Sequence, residues 1–417
     1  MIKRTFLTLL ILFPLYAYDG DKQLQNLIEI GLKNNQSIRI AKLQLAGVQS
    51  QERGSYSGFL PTIGLSVGKD LNQSDLPDFY SSGISIDQTI FDGAQSWYAS
   101  RSVANRISLS ELSLKSNEEQ VVHAIKTAYY SYLRAMELAE VSRLSLELAI
   151  SQLKLAEQQF ELKAVSETDL LKAKVRKGQA EASILQSELS VQNELNALNV
   201  AIGKTAGHPL NIEKISVELP PVPEYNLIKK NMLSNNTQLK KFRYQEEGAS
   251  IALKTQTGIF FPTIRFSSSY STVGSDLGDV LDGYTTANPS ANLSISVPIF
   301  TGLSRISRYD ELKYNVLQSR ASVAKMEDDL IAEMDNLVTQ LNTYHKLIPI
   351  NEEIILSAEM DLKLAKEKYD LGANDILDLL NSQVSLIQAK SDLVRLKYDA
   401  KITESKLEVL MGTVTHN

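Results

Sequence analysis

Four histidines, a Gly-Lys-Thr triplet and 49 acidic residues are the parts of this chain able to carry chemistry. His123, His208, His345 and His416 lack the spacing of a helical metal pair such as HExxH, which needs two imidazoles one turn apart. The triplet at Gly203–Thr205 would cradle phosphate only with a glycine five residues before Gly203, and Leu198 stands there. Glycine recurs at Gly412 in the same relation to a helical segment, so Gly203 reads as a helix stop. There is no GxSxG elbow and no cysteine. That excludes thiol catalysis, disulfides, thiolate zinc sites and lipid attachment through an N-terminal cysteine. The carboxylates lie on helical segments, where they read as solvated faces. The chain is expected not to be an enzyme and to carry no metal or cofactor. A formal charge of −6 leaves no basic footprint, so no nucleic acid is expected as a partner.

With catalysis set aside, the elements themselves become informative. Lys3 and Arg4 precede an apolar run from Phe6 to Leu15 and a small Ala17, the pattern of a secretory signal peptide over residues 1–17. No later stretch is long and apolar enough for a membrane helix, so an exported chain that enters a membrane must do so with strands.

The remaining sequence is written twice. "FLPTI" ending at Ile63 matches "FFPTI" ending at Ile264, an offset of 201 that also relates "NNQ" at Asn34 to "NNT" at Asn235. "IFDG" ending at Gly93 matches "IFTG" ending at Gly302, an offset of 209 that also relates Gly203 to Gly412. A single change of eight residues inside a polar loop separates the two offsets, which marks a duplication. Repeat 1 is expected over 18–203 and repeat 2 over 227–412. A proline-rich connector, 204–226, joins them, and 413–417 form a tail. Each repeat reads helix, strand, polar loop, strand, very long helix, short break, helix. Strands are expected near Pro61–Leu71, Ser82–Phe91, Pro262–Thr272 and Ala291–Phe300. They alternate apolar and polar residues, as in Leu293, Ile295, Val297 and Ile299 against Asn292, Ser294 and Ser296. Such a face suits a half-buried soluble sheet or a lipid-facing barrel wall. Four strands cannot close a barrel, so a membrane sheet needs other subunits. The long helices should run about 65 residues, roughly 100 Å at 1.5 Å each. Pro349 falls inside the second and is expected to kink or break it.

The last helix, near Asp375–Met411, carries two heptad seams. One holds Leu380, Val384, Ile387, Ser391, Val394 and Tyr398; the other runs from Leu379 through Leu386, Ala389 and Leu393 to Leu410. Two polar stripes lie between them: Asp378, Asn381, Ser385, Gln388, Asp392, Arg395 and Asp399 on one side, and Gln383, Lys390, Lys397 and Glu404 on the other. Two packing faces and two wet faces fit a wall one helix thick with water on both sides.

The signal peptide, tandem strand–strand–long-helix halves and paired "PTI" and "IF(D/T)G" motifs together resemble the TolC family of outer-membrane efflux ducts. The resemblance covers essentially all of the mature chain. It implies a mainly α fold with a long α-helical barrel, and a homotrimer whose four strands per chain close a 12-stranded barrel in outer-membrane lipid. It also implies passive efflux or secretion with a periplasmic adaptor and an inner-membrane pump of the RND or ABC type. By the same resemblance the helical hairpin tips form a periplasmic gate. Asp378 and Asn381 would stand at the constriction, and Tyr369, Asn374, Thr168 and Asp169 would form a hydrogen-bonded lock. Ala164, Val165, Ser166, Gly372 and Ala373 would form adaptor-docking turns, with Ser385, Asp392 and Asp399 along the lumen. Asn374 stands where the family has an arginine and Asn381 where it has a second carboxylate, which implies a weaker lock and a less negative constriction. Lys163 replaces the glycine kept at Gly372, so the first tip is expected to differ in shape. The competing expectation is a soluble periplasmic coiled-coil scaffold or adaptor, with its strands in an ordinary sandwich.

Overall fold

The computed structural model describes residues 19–70, 79–215, 217–282, 288–371, 373 and 375–414. The expected signal peptide, Gly372, Asn374 and the last three residues of the tail lie outside the described residues. Helices α1 (Asp19–Asn34), α2 (Gln36–Gln49) and α3 (Gln51–Ser55) precede strands β1 (Thr62–Asp70) and β2 (Phe79–Phe91). Then come α4 (Gln95–Glu161) and α5 (Glu167–Ala201). The second half repeats this order with α6 (Tyr225–Asn235), α7 (Thr237–Gly258), β3 (Thr263–Gly274), a short α8 (Leu277–Asp282), β4 (Asn288–Ser296), α9 (Ser304–Asp370) and α10 (Ile376–Met411). Contacts divide the chain into two compact units, each built from both halves. One takes residues up to Gln36, Glu118–Met232 and Glu333 onward; the other takes Ser37–Asn117 and Leu233–Ala332.

The second unit holds a four-stranded antiparallel sheet in the order β1-β2-β3-β4. Ile63 faces Ile86 across β1–β2, and Ile264 faces Ile295 across β3–β4, so the two hairpins share one register. Cross-strand partners share a face. The pairs Leu65–Ile84, Ile63–Ile86, Phe266–Leu293 and Ile264–Ile295 therefore make one face apolar. Gly64–Ser85, Ser85–Ser269 and Ser267–Asn292 make the other small and polar. The apolar face is bare: Ile63 is 69% exposed, Leu65 70% and Ile295 66%. A soluble sandwich would need a second sheet over it, and none is present among the described residues. β4 ends earlier than expected. Pro298 occupies the place of Thr89 in β2 and has no N–H for the ladder, so the strand stops at Ser296 and leaves Ile299 and Phe300 exposed.

The sheet's polypeptide turns into helix through paired left-handed residues. Gly93 and Ala94 have φ of 71° and 66°; Gly302 and Leu303 have 66° and 67°. Glycine is required at position 93, where a Cβ would stand 2.1 Å from the Gly258 carbonyl oxygen.

In the other unit, Leu24 and Leu27 of α1 and Ile125, Tyr129 and Leu133 of α4 are buried, as are Leu198 of α5, Ile228 of α6, Met334 of α9 and Leu410 of α10. Tyr398 is buried and donates its hydroxyl to Glu137 Oε1 at 2.7 Å. α9 is 67 residues long and stays continuous through Pro349, contrary to a break. One missing donor frees only the His345 carbonyl, and the flanking bonds carry the helix on.

The α10 seam from Leu379 to Leu410 is buried apart from half-buried Leu393 and Leu396. The other seam is less covered: Val384 is exposed, while Tyr398 is buried. The second wet stripe is only partly open to water. Gln383 is buried, Lys390 reaches Glu359 at 2.7 Å and Lys397 reaches Glu352 at 3.0 Å. Long lysine side chains bridge to the α9 carboxylates where heptad counting alone assigned them to solvent.

Candidate functional site: the helical hairpin tips

Both hairpins turn by the same device. At the end of α4, Ala164 N–H bonds the Gln159 carbonyl at 2.8 Å; at the end of α9, Ala373 N–H bonds the Lys368 carbonyl at 2.9 Å. These bonds reach back five residues, and at the first tip a left-handed residue stands just past the helix. Lys163 takes that conformation with φ 55°. The first tip therefore keeps a glycine-type turn despite its lysine; Gly372, with which its shape was to be compared, lies outside the described residues. Helix-stop bonding by Lys163 N–H to Phe160 offsets the backbone cost.

One alanine each from α4, α5 and α9 meets just inside the tips. Ala156, Ala173 and Ala365 are buried together with Tyr369, Ile376 and Leu379. Small side chains let the helices approach closely, and the Tyr369 ring fills the space between them. Tyr369 is 3% exposed and its hydroxyl has no hydrogen-bond partner among the described residues. Burial, then the charges of Asp169, Asp375 and Asp370, push its pKa up and hold it neutral.

Asp169 and Asp378 occupy the same place in the two repeats, the third residue of a helix. Asp169 is committed to a cap. Its N–H donates to Ser166 Oγ at 3.2 Å, and its Oδ2 accepts from Ser166 Oγ at 2.7 Å and Ser166 N–H at 3.3 Å. Lys172 stands 3.4 Å from its Oδ1. The Ser166 hydrogen bonds hold the Asp169 carboxyl below the usual range. Among the described residues of one chain Asp169 and Tyr369 share no hydrogen bond, and the Asp169 carboxylate is held by Ser166 and Lys172. Asp378 cannot copy the arrangement. Its N-cap is Asp375, another acceptor, which makes no side-chain cap bond. The exposed Asp378 carboxylate has no partner among the described residues.

Thr168, Ala164, Ser166, Ala373, Asn381 and Ser385 are exposed, and Val165 is half-buried. Asp392 accepts from Gln388 at 2.9 Å and pairs with Arg395 at 3.2 Å. Asp399 pairs with Arg134 of α4 at 2.5 Å. The stripe is thus neutralised toward Asp399 and carries an uncompensated acid at Asp378. Counting residues missed the Ser166 cap, although Ser-x-x-Asp before an apolar run was its visible signal.

The profile of the outer membrane efflux protein family matches residues 27–204 and 229–413. The outer membrane efflux protein BepC of Brucella suis biovar 1 (strain 1330) is 21% identical over 390 residues, covering 92% of this chain and 84% of that protein. The outer membrane protein TolC of Escherichia coli (strain K12) is 20% identical, covering 99% of this chain and 87% of that protein. Among solved structures, CusC superposes with a TM-score of 0.85 at 18% identity, covering 95% of each chain. The outer membrane protein VceC from Vibrio cholerae gives 0.84 at 20% identity, covering 94% of this chain and 96% of that one.

Proposed function

Because the chain belongs to the outer membrane efflux protein family, we propose that three copies assemble into a passive duct that delivers cargo from an inner-membrane pump, through a periplasmic adaptor, to the outside. The observation that carries this reading is the four-stranded sheet. Its apolar face is bare and its two outer strands, β1 and β4, each have one edge without a partner among the described residues of the chain. Lipid tolerates the face but not the edges, whose unmatched N–H and C=O groups must be satisfied by another chain.

In this reading the stripe of Asp378, Asn381, Ser385, Asp392 and Asp399 lines the aqueous path. Asp378 from each copy converges near the axis and favours cations over anions. Tyr369, Thr168, Asp169 and Asn374 hold the tips together, with the Tyr369 hydroxyl available for a partner that the isolated chain does not supply. Ala164, Val165, Ser166, Gly372 and Ala373 form small, blunt turns suited to an adaptor. No catalytic step is required, since energy comes from the pump.

The test is fractionation of cells followed by electrophoresis in mild detergent and planar-bilayer recording. The reading expects the chain in the outer membrane, migrating as a trimer and conducting ions. A soluble monomer in periplasmic extracts contradicts it.

A further inference from the structure

Where β2 passes into α4 and α7 passes into β3, a cavity of about 290 Å³ opens beside the sheet. Its walls include Phe91, Tyr98 and Phe261, its floor is the close Gly93–Gly258 crossing, and Lys254 is the cation among its lining residues. Phe91 is 41% exposed and Phe261 51%, so the aromatic wall is open to the surroundings. A bulge between Thr89 and Phe91 shifts the ladder just before Phe91 and re-aims that side chain. Among the described residues Lys254 has no carboxylate partner. Asp92, the nearest acid in sequence to the cavity wall, is already occupied: it accepts from Ser96 N–H at 2.9 Å and Ser96 Oγ at 2.5 Å.

We propose that this cavity binds a phospholipid from the leaflet facing the periplasm, seating the start of an acyl chain between Phe91, Tyr98 and Phe261 and its phosphate on Lys254. The chemistry follows from position. The bare apolar strand face begins at this junction, and aromatic side chains gather where strands end, as they do at a membrane–water boundary. A lysine one helical turn farther from the sheet lies at the level where phosphates are found and snorkels toward them. The duplication repeats part of this set: Lys254 corresponds to Arg53, Phe91 to Phe300 and Phe261 to Leu60, while Tyr98 corresponds to Ser307, so the cation and two of the three wall positions are kept in the other half. Phe300 and Leu60 are also exposed. This site rests on the outer-membrane placement argued above.

The experiment is native mass spectrometry of the full chain purified in detergent, titrated with dioleoyl phosphatidylglycerol, dioleoylglycerol or inorganic phosphate. Phosphatidylglycerol should be retained, and Lys254→Gln should weaken retention about fivefold; Lys254→Arg should restore it. Phe261→Ser should also weaken it. Dioleoylglycerol and phosphate alone should bind poorly. Equal retention by Lys254→Gln, or equal binding of dioleoylglycerol, would reduce the cavity to nonselective lipid contact. Equal binding of inorganic phosphate would make it a soluble-anion site, and either result overturns the proposal. Lys254 is exposed, so its variants should migrate as the parent does. If the parent itself never assembles in membranes, the duct reading has failed instead of the lipid site.

Discussion

Asp169 and Asp378 sit at the same position of duplicated helical hairpins, yet one closes a reciprocal cap with Ser166 and the other leaves its carboxylate unengaged. The difference lies one turn earlier, where Ser166 can donate and Asp375 cannot. Removing Asp169 should therefore cost stability, and removing Asp378 should alter conduction. Asp169→Ala is expected to destabilise the first hairpin by about 1 kcal/mol. It should be seen as faster hydrogen exchange at the start of α5. Asp378→Asn should leave that exchange unchanged and lower cation preference in planar bilayers. If both variants lose stability equally and neither changes selectivity, the division of roles is wrong.

Lys163 carries a conformational cost that a glycine in its place would avoid. Lys163→Gly should stabilise the first tip by about 1 kcal/mol, measurable as slower local exchange around Gln159–Ser166. The reverse experiment is at the far end of α5. Gly203 has φ 76°, and a Cβ there would lie 2.9 Å from the Asn34 backbone. Gly203→Ala should cost about 1–3 kcal/mol. A neutral Gly203→Ala would show that the α1–α5 contact is looser than described.

A pH effect should arise at His123. Its Nδ1 lies 3.0 Å from Ser405 Oγ, and burial lowers its pKa, helped by Lys406 and Lys126 and opposed by Glu408. The folded chain resists protonation more than the unfolded chain does. Stability should be full above the ordinary histidine value of about 6.5 and should fall as pH drops below it. His123→Gln should flatten the denaturation midpoint between roughly pH 5 and 7. An unchanged slope would remove His123 as its source.

Tyr398 gives a fourth expectation. Burial and the Glu137 hydrogen bond raise its pKa well above the ordinary value, so it stays neutral. Tyr398→Phe leaves Glu137 short of a donor and should cost about 1–3 kcal/mol by denaturant titration. A cost near zero would mean water replaces the hydroxyl.

The duplication, the long helices and the deeper seam of α10 were legible because each is periodic over many residues. Features decided by one neighbour were not. Lys390 and Lys397 fall on a polar stripe by heptad count, but α9 supplies the carboxylates Glu359 and Glu352, which no local pattern contains. Pro298 shortened β4 through its missing donor, while Pro349 left α9 continuous because a long helix tolerates one lost bond. At the tips, Ser166 was visible as a cap signal, whereas the left-handed Lys163 was not, because its backbone state is imposed by the hairpin around it.

If separate chains close one barrel, the β2–β3 seam supplies its register. Ile86 faces Ser268 within a chain. Shifted by the two repeat offsets, the same relation places Ile295 opposite Val67 of a neighbouring copy. The chain has no cysteine of its own, so Val67→Cys with Ile295→Cys is a clean test. Oxidation in membranes should yield a covalently linked trimer, because facing positions meet disulfide geometry. Pairing Ile295→Cys with Ile63→Cys should not. Linkage absent from the first pair, or equal in both, contradicts a barrel closed by repetition of the internal seam.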